Sequence, residues 1–383
     1  MKYIYIKLSI IFLIIIVIFS NSSCNKENSY SSNYYMTLDS IEYVTNFPHS
    51  YKLENSNDVN IENIGVMGCD NFNIVDSLVI FSTNDGDGFW SFVSLPDNNF
   101  INKFLKRGQG PDEFLFSPSV QTATNFFKDN GKQYAAIYDS QKGKVYKMNI
   151  DESVKSKKLA ISIMKDSVSL FLMNFVMIDS NRFLYKALSA THTQQLRYIM
   201  KNNIRESCPN FEKLNKATVN ITSGPAYYFN IISTLTKYNK ERNLIVEMPV
   251  MLNYLNLYSI DGSFGKTICI GNKLSNIEEI QIQKYPDLVE TFFDLRIYKD
   301  FWGVVFVDEN ELTLQTKREK LPSLFLFNWQ GEPLAELKLN RQLTSFDIDF
   351  NSGILYGLDN ITDTFFKYDI NQILKDLRLN RND

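Results

Sequence analysis

From about residue 41 to about residue 370 the chain consists of short runs of β-branched and aromatic residues broken by Asn, Asp and Gly. FNIVDSLVIFS (72–82), GFWSFVSL (88–95), QYAAIYDS (133–140), KVYKMNI (144–150), RFLYKAL (182–188), NLIVEM (243–248), LNLYSID (255–261), LFLFNW (324–329) and ILYGLDN (354–360) all have strand length. Many alternate apolar with polar positions, the period of a strand covered on one face. No long stretch follows the helical period. The runs also recur in order, as strand, Asx-type turn, strand, turn and third strand, at intervals of roughly 40–60 residues. Such units lie near 72–106, 133–163, 172–205, 230–270, 292–339 and 344–370. Each is too small to bury its own face, so the six together predict an all-β fold, a six-bladed β-propeller of four-stranded antiparallel blades. A pair of β-sandwiches and a seven-bladed ring are the competing architectures, because irregular insertions at 206–226 and 273–291 break the rhythm. The sixth unit is one strand short, and IEYVTNFPHSYKL (41–53) belongs to no unit. Pairing this N-terminal strand with the last blade would close the ring and remove two free edges. Ile370, Ile373, Leu374 and Leu377 fall at helical spacing and predict a short C-terminal helix lying on the ring.

The first residues follow another pattern. In MKYIYIKLSIIFLIIIVIFSNSSC, Lys2 and Lys7 form a basic start, Leu8 to Phe19 is almost unbroken apolar sequence, and Ser20 to Ser23 are small and polar. That is the three-part layout of an export signal. The apolar run, about a dozen residues, falls short of the roughly 20 that a membrane-spanning helix needs. The junction at Cys24 resembles that of a bacterial lipoprotein signal, in which the cysteine receives the lipid and becomes the mature N-terminus. Here Asn21, Ser22 and Ser23 precede it, a loose version of the usual box of the kind Bacteroidetes often show. The expected organisation is a lipoprotein signal peptide at 1–23, a lipidated flexible tether at 24–40 and a single propeller domain at 41–383. The protein would then sit at the bacterial outer membrane, held through its N-terminal lipid. One acid, Glu27, beside Lys26 leaves surface and periplasmic orientations equally open.

Charge narrows the partners. The chain has 40 Lys+Arg against 43 Asp+Glu, a formal charge of −3, and loss of Lys2 and Lys7 with the leader takes it to −5. No basic block is dense enough to track a phosphate backbone, which excludes nucleic acid. Besides Cys24 there are Cys69, Cys208 and Cys269, an odd number without CxxC spacing, open either to one disulfide or to buried thiols. His49 and His192 are the two histidines, so a His/Cys zinc site is not expected. A Ser-His hydrolase lacks its parts too, since no G-x-S-x-G elbow is present. No cofactor is implied. Carboxylates remain, and Asp70, Asp139, Asp179 and Asp294 would matter to a hydrolase only if they converged at a channel mouth; solvated turns are the bland role for each. NDGDG (84–88) resembles part of a calcium loop, but Leu95 stands where the distal Glu should be, so a hairpin turn is expected. Among 29 Phe, 21 Tyr and 3 Trp, the clusters Tyr34-Tyr35, Phe89-Trp90, Tyr227-Tyr228-Phe229 and Phe301-Trp302 suit sugar stacking or, more often, packing between blades.

The sharpest local signal is Phe104-Leu105-Lys106-Arg107-Gly108-Gln109-Gly110-Pro111-Asp112-Glu113-Phe114. Two glycines followed by proline predict a chain reversal, with positive φ at Gly108 or Gly110. A phosphate cradle is a poor alternative because neither the Walker spacing nor GxGxxG is present. The stretch resembles the G-x-GP-x-EF signature that follows the first blade in TolB-like six-bladed propeller lipoproteins of the Bacteroidetes. Cys24, the strand pair before the motif and the six-unit spacing are similar to that family as well. The resemblance covers most of 41–370 and implies fold and envelope location, with Arg107, Gly108, Gly110, Pro111, Glu113 and Phe114 as a structural turn. It also implies O-glycan acceptors at Asp-Ser-aliphatic sites, which would be Ser40, Ser77 and Ser167. The functional expectation is a lipid-anchored binding or interaction module for a glycan, peptide or envelope partner. The alternative is a carboxylate- or metal-dependent hydrolase or lyase of extracellular polymers.

Overall fold

A computed structural model describes residues 34–379 except positions 86, 96, 169–173, 203 and 220–230. The export signal, Cys24, most of the tether and the 227–229 aromatic cluster lie outside the described residues. Six sheets form, and each takes four strands in sequence from the axis outward. Blade one is Cys69–Val75, Leu78–Thr83, Trp90–Ser94 and Asn99–Phe104; blade two is Thr124–Asp129, Lys132–Asp139, Lys144–Asn149 and Ile161–Lys165. Blade three runs Asn174–Met177, Arg182–Leu188, Gln195–Lys201 and Ile204–Glu206, and blade four Thr234–Asn239, Leu244–Pro249, Tyr254–Ser259 and Gly265–Ile270. Blade five is Val289–Ile297, Phe301–Asn310, Ser323–Asn328 and Pro333–Leu339. Blade six contributes Ser345–Asp349, Ile354–Asp359 and Thr364–Asp369, and borrows its fourth strand, Ser56–Asp58, from the N-terminal segment. The first strands of neighbouring blades meet around the axis.

The N-terminal segment closes the ring differently from the expected pairing of 41–53. Ser40–Val44 adds in parallel to the outer edge of blade four, and His49–Leu53 adds in parallel to blade five. The closing strand is the next one, Ser56–Asp58, antiparallel to Thr364–Asp369. One pass along the rim thus covers three successive edges that would otherwise present unpaired backbone groups. The propeller also begins earlier than position 41. Met36 is fully buried, its N–H donates to Tyr254 Oη at 3.0 Å, and its carbonyl accepts from Asn256 Nδ2 at 3.0 Å. Leu38 N–H donates to Thr267 Oγ1 at 2.8 Å. Two apolar residues inside a polar run therefore end the tether some seven residues before its composition changes.

Each hydrophobic cluster lies between two adjacent blades rather than within one. Phe72 and Phe81 of blade one pack with Tyr356 and Phe365 of blade six, and Trp90, Phe92 and Phe104 pack with Ala135, Ile137 and Tyr146 of blade two. Along Lys132–Asp139, Ala135 and Ile137 face blade one while Ala136 and Tyr138 face blade three. Successive side chains of a strand point to opposite faces. A middle strand buried on both sides consequently reads as a continuous apolar run. Between blades three and four an apolar core that includes Leu184, Ile199, Ile245 and Tyr254 also encloses a buried polar cluster. Glu247 accepts from Arg197 Nε at 2.8 Å, Tyr258 Oη at 2.7 Å and Thr234 Oγ1 at 2.7 Å, and Lys186 Nζ lies 3.9 Å away. Burial opposes the charge on Glu247, but Arg197 and Lys186 outweigh it and hold the carboxyl well below its ordinary range.

Among the described residues five short helices join these elements: Ile150–Ser156, Pro209–Leu214, Ile277–Gln281, Glu311–Thr316 and Asn371–Asp376. The last is the expected C-terminal helix, and Ile370 and Leu374 anchor it in the core between blades five and six. Among the described residues no helix is long and apolar enough to cross a membrane.

Candidate functional site

Besides the buried cluster around Glu247, polar side chains gather at the axis and at the junction between blades one and two. At the axis Gln121, at the entry to blade two, donates through Nε2 to Asp294 of the opposite blade five. Lys237 of blade four donates to Gln121 O at 2.8 Å. Arg296 bonds Asp294 Oδ2 at 2.9 Å, Phe72 O at 2.7 Å and Asn73 Oδ1 at 2.5 Å. Burial, reinforced by Arg296 and opposed by Asp294 and Asp347, pulls the Lys237 ammonium down to about 8. The carboxylates have no oxygen to spare. Asp294 accepts from Gln121, Leu295 N, Arg296, Ser345 and Phe346 N. Asp347 accepts from Tyr298 Oη at 3.1 Å, Ile348 N at 2.9 Å and Ile74 N at 2.8 Å. The network braces the channel from blade to blade and occupies both oxygens of each acid. Asp294 thus departs from the solvated-turn role: it is fully buried at the axis.

The glycine motif builds the junction. The backbone leaves the last strand of blade one through Leu105, which adopts φ +63°, a conformation that costs a branched side chain energy. Neither Gly108 nor Gly110 has positive φ, contrary to the expectation for this turn. Their missing side chains serve a different purpose. Glu113 folds back over the turn and accepts from Gly110 N–H at 2.8 Å; a Cβ on Gly108 would overlap its carboxylate, and one on Gly110 would sit 2.9 Å from Oε2. Gly108 N–H donates to Phe114 O at 3.0 Å, Phe114 N–H to Lys106 O at 2.9 Å, and Arg107 pairs with Phe114 as an isolated bridge. Arg107 also lies 5.2 Å over the Phe89 ring.

Blade two clamps the turn from outside. Lys142 Nζ donates to Gly110 O and Glu113 O, both at 2.6 Å, and Tyr146 Oη donates to Pro111 O at 3.1 Å. The buried Phe114 ring packs edge-on against Tyr146 at 5.3 Å. Lys142 and Tyr146 carry no linear signal, since they sit some thirty residues from the turn they hold. Two cavities flank this clamp. A groove of about 890 Å³ runs between the outer strand of blade one and residues 157–159, walled by Phe100, Asn102, Lys106, Glu113 and Lys158. Phe100 is 41% exposed, and among the described residues Lys106, Lys157 and Lys158 form no ion pair. On the other side a cavity of about 210 Å³ lies under Phe114, Phe116 and Asp139.

The family model described as TolB-like 6-blade propeller-like matches residues 71–351. The chain belongs to this TolB-like family. No protein with a curated description matches it. Among solved structures, a DUF4221-family member from Bacteroides vulgatus is similar at 11% identity, covering 78% of this chain and 93% of its own, with a TM-score of 0.48. A Bacteroides fragilis protein described as exported is 12% identical over 83% of this chain and 98% of its own, with a TM-score of 0.45.

In this TolB-like chain the remaining expected residues separate widely. Asp70 is an exposed acceptor for Asn84 Nδ2, and Asp179 caps its own turn through Asn181 N and Arg182 N. Asp85 and Asp87 form the expected hairpin turn, with Lys103 paired to Asp85. Ser40, Ser77 and Ser167 are all exposed. Cys69, Cys208 and Cys269 are buried free thiols. Phe89, Trp90, Phe301 and Trp302 are fully buried and Tyr34-Tyr35 are half-buried against the propeller, so these clusters fill cores.

Proposed function

We propose that the protein is a lipid-anchored propeller of the bacterial outer membrane, acting as a binding or interaction module for a glycan, peptide or envelope partner. Its recognition surface is the junction of blades one and two. The anchor rests on the export-signal pattern and on Cys24. The binding reading rests on one observation: the family motif, clamped by Lys142 and Tyr146, is flanked by two cavities, and Phe100 and Phe116 stand exposed at them. Rigid polar walls with a few exposed rings suit recognition, because little ordering entropy is spent on binding. The saturated axial carboxylates favour this over a two-carboxylate hydrolase, which needs one acid free to donate and one free to attack or activate water.

Two measurements test the reading. Immobilised protein is expected to retain a discrete ligand from solubilised envelope glycans and peptides, and Phe100→Ala with Lys106→Glu to retain about a tenth as much; equal retention contradicts the surface. In cells, Cys24→Ala is expected to abolish incorporation of an alkynyl fatty acid, and persistent labelling contradicts the anchor.

A further inference from the structure

The exposed apolar side chains are unevenly placed. Within every blade the four strands alternate in direction. Connections from second to third strand, and from fourth strand to the next blade, therefore emerge on one face, and the remaining turns emerge on the other. Among the described residues twelve large apolar side chains are exposed. Seven lie in the connections of the first face, including Met67, Phe116, Ile282 and Leu321; five lie on strands at the outer rim, and none lies in the turns of the opposite face. Single exposed apolar residues are ordinary, but a division of seven to none between two faces is no random scatter. The chain also enters the propeller from this face. Tyr34 O accepts from Ile277 N at 2.9 Å, and Tyr35 Oη accepts from Asn276 Nδ2 at 3.1 Å. Both partners belong to the connection from blade four to blade five, which also carries Ile282, 79% exposed. Cys24 precedes Tyr34 by ten residues. A segment of that length reaches about 35 Å at full extension and about 17 Å as a flexible coil.

We infer that this face rests on the lipid bilayer, with Phe116, Ile282 and Leu321 entering the headgroup boundary. This orientation rests on the Cys24 anchor proposed above. A soluble partner is gripped by apolar groups gathered in one groove. These tips are instead spread over connections within or leaving blades one, four, five and six, as contacts with a flat surface are. Each tip that enters the lipid takes apolar area out of water. A tether of ten residues keeps the bilayer at high effective concentration, so contacts too weak to hold a free protein suffice to set its orientation. Phe100 lies near the start of the outer strand Asn99–Phe104, toward the opposite face, so the groove beside it stays open to a soluble partner.

The test uses the full-length chain, processed in cells and reconstituted into vesicles of phosphatidylethanolamine and phosphatidylglycerol. A nitroxide is attached to Phe116→Cys, to Ile282→Cys or, for comparison, to Glu241→Cys in the first-to-second turn of blade four. All three positions are exposed, and Cys69, Cys208 and Cys269 are buried, which directs the label to the introduced thiol. On vesicles the labels at 116 and 282 are expected to lose collisions with a water-soluble nickel complex while keeping those with oxygen, and the label at 241 to keep its nickel access. Nickel access at all three positions, in protein that carries the fatty-acid label at Cys24, overturns the bilayer contact and leaves the anchor standing. Labels at 116 and 282 that are immobilised and closed to oxygen would mean that a second copy of the chain covers the face, which overturns it too. Protein that lacks the fatty-acid label and fails to float with the vesicles removes the anchor and this orientation together.

Discussion

The space above Gly108 is already filled by the Glu113 carboxylate, which folds back to the Gly110 N–H. Glycine here is a matter of volume, and the unusual backbone belongs to Leu105. Gly108→Ala is therefore expected to cost about 1–3 kcal/mol by displacing Glu113, as overpacking does. Adding Glu113→Ala should recover most of that loss, because the two positions share one contact and cannot be additive. Urea unfolding of the two single variants and the double variant decides it; strictly additive losses would place the glycine requirement in the backbone instead. The sequence pattern of alternating glycines and proline gave away a turn, but it held no trace of which atom needed the room. Asp139 was equally opaque: its Oδ1 accepts from Gln141 N and Lys142 N as in any Asx turn, but its Oδ2 is buried without a hydrogen-bond partner.

Strands were the most legible elements because their runs are long enough to show a pattern. The innermost strand of blade two, Thr124–Asp129, escaped, since adjacent Phe126 and Phe127 break the alternation. The connecting helices escaped for a different reason: none of the first four exceeds seven residues, and two turns are too few to display a period. One of them, Glu311–Thr316, faces a titrating group on the neighbouring strand Val289–Ile297. Burial, reinforced by the hydrogen bond that the protonated Glu290 carboxyl donates to the Glu311 carboxylate and by that carboxylate's charge, raises Glu290 from its ordinary 4.5 to about 8. The folded chain therefore holds this proton more tightly than the unfolded one. The stabilisation is complete below about 4.5 and is lost as pH rises through about 8. Thermal unfolding followed between those two values is expected to show a falling midpoint, and Glu311→Gln to flatten the fall. An identical slope in both proteins would contradict a shared proton between Val289–Ile297 and Glu311–Thr316.

For the whole molecule, six interblade cores explain why the repeat was readable while no single unit looked self-sufficient. Each blade supplies half of two cores, and the ring becomes stable only when the last interface closes. The missing strand of blade six was legible as a vacancy. Its occupant, Ser56–Asp58, was not, because three polar residues carry no strand signal, whereas the more apolar 41–53 segment went to the rims of blades four and five. The proposed recognition surface lies at one interface of this ring, between blades one and two, where the family motif borders two cavities. Site-specific photocrosslinking in living cells tests that claim most directly, with a benzophenone amino acid at Phe100 and, for comparison, at the exposed Ile361 of blade six. A discrete adduct from position 100 and none from position 361 is the predicted result. Adducts of the same kind from both positions, or from position 361 alone, would contradict a recognition surface at the junction.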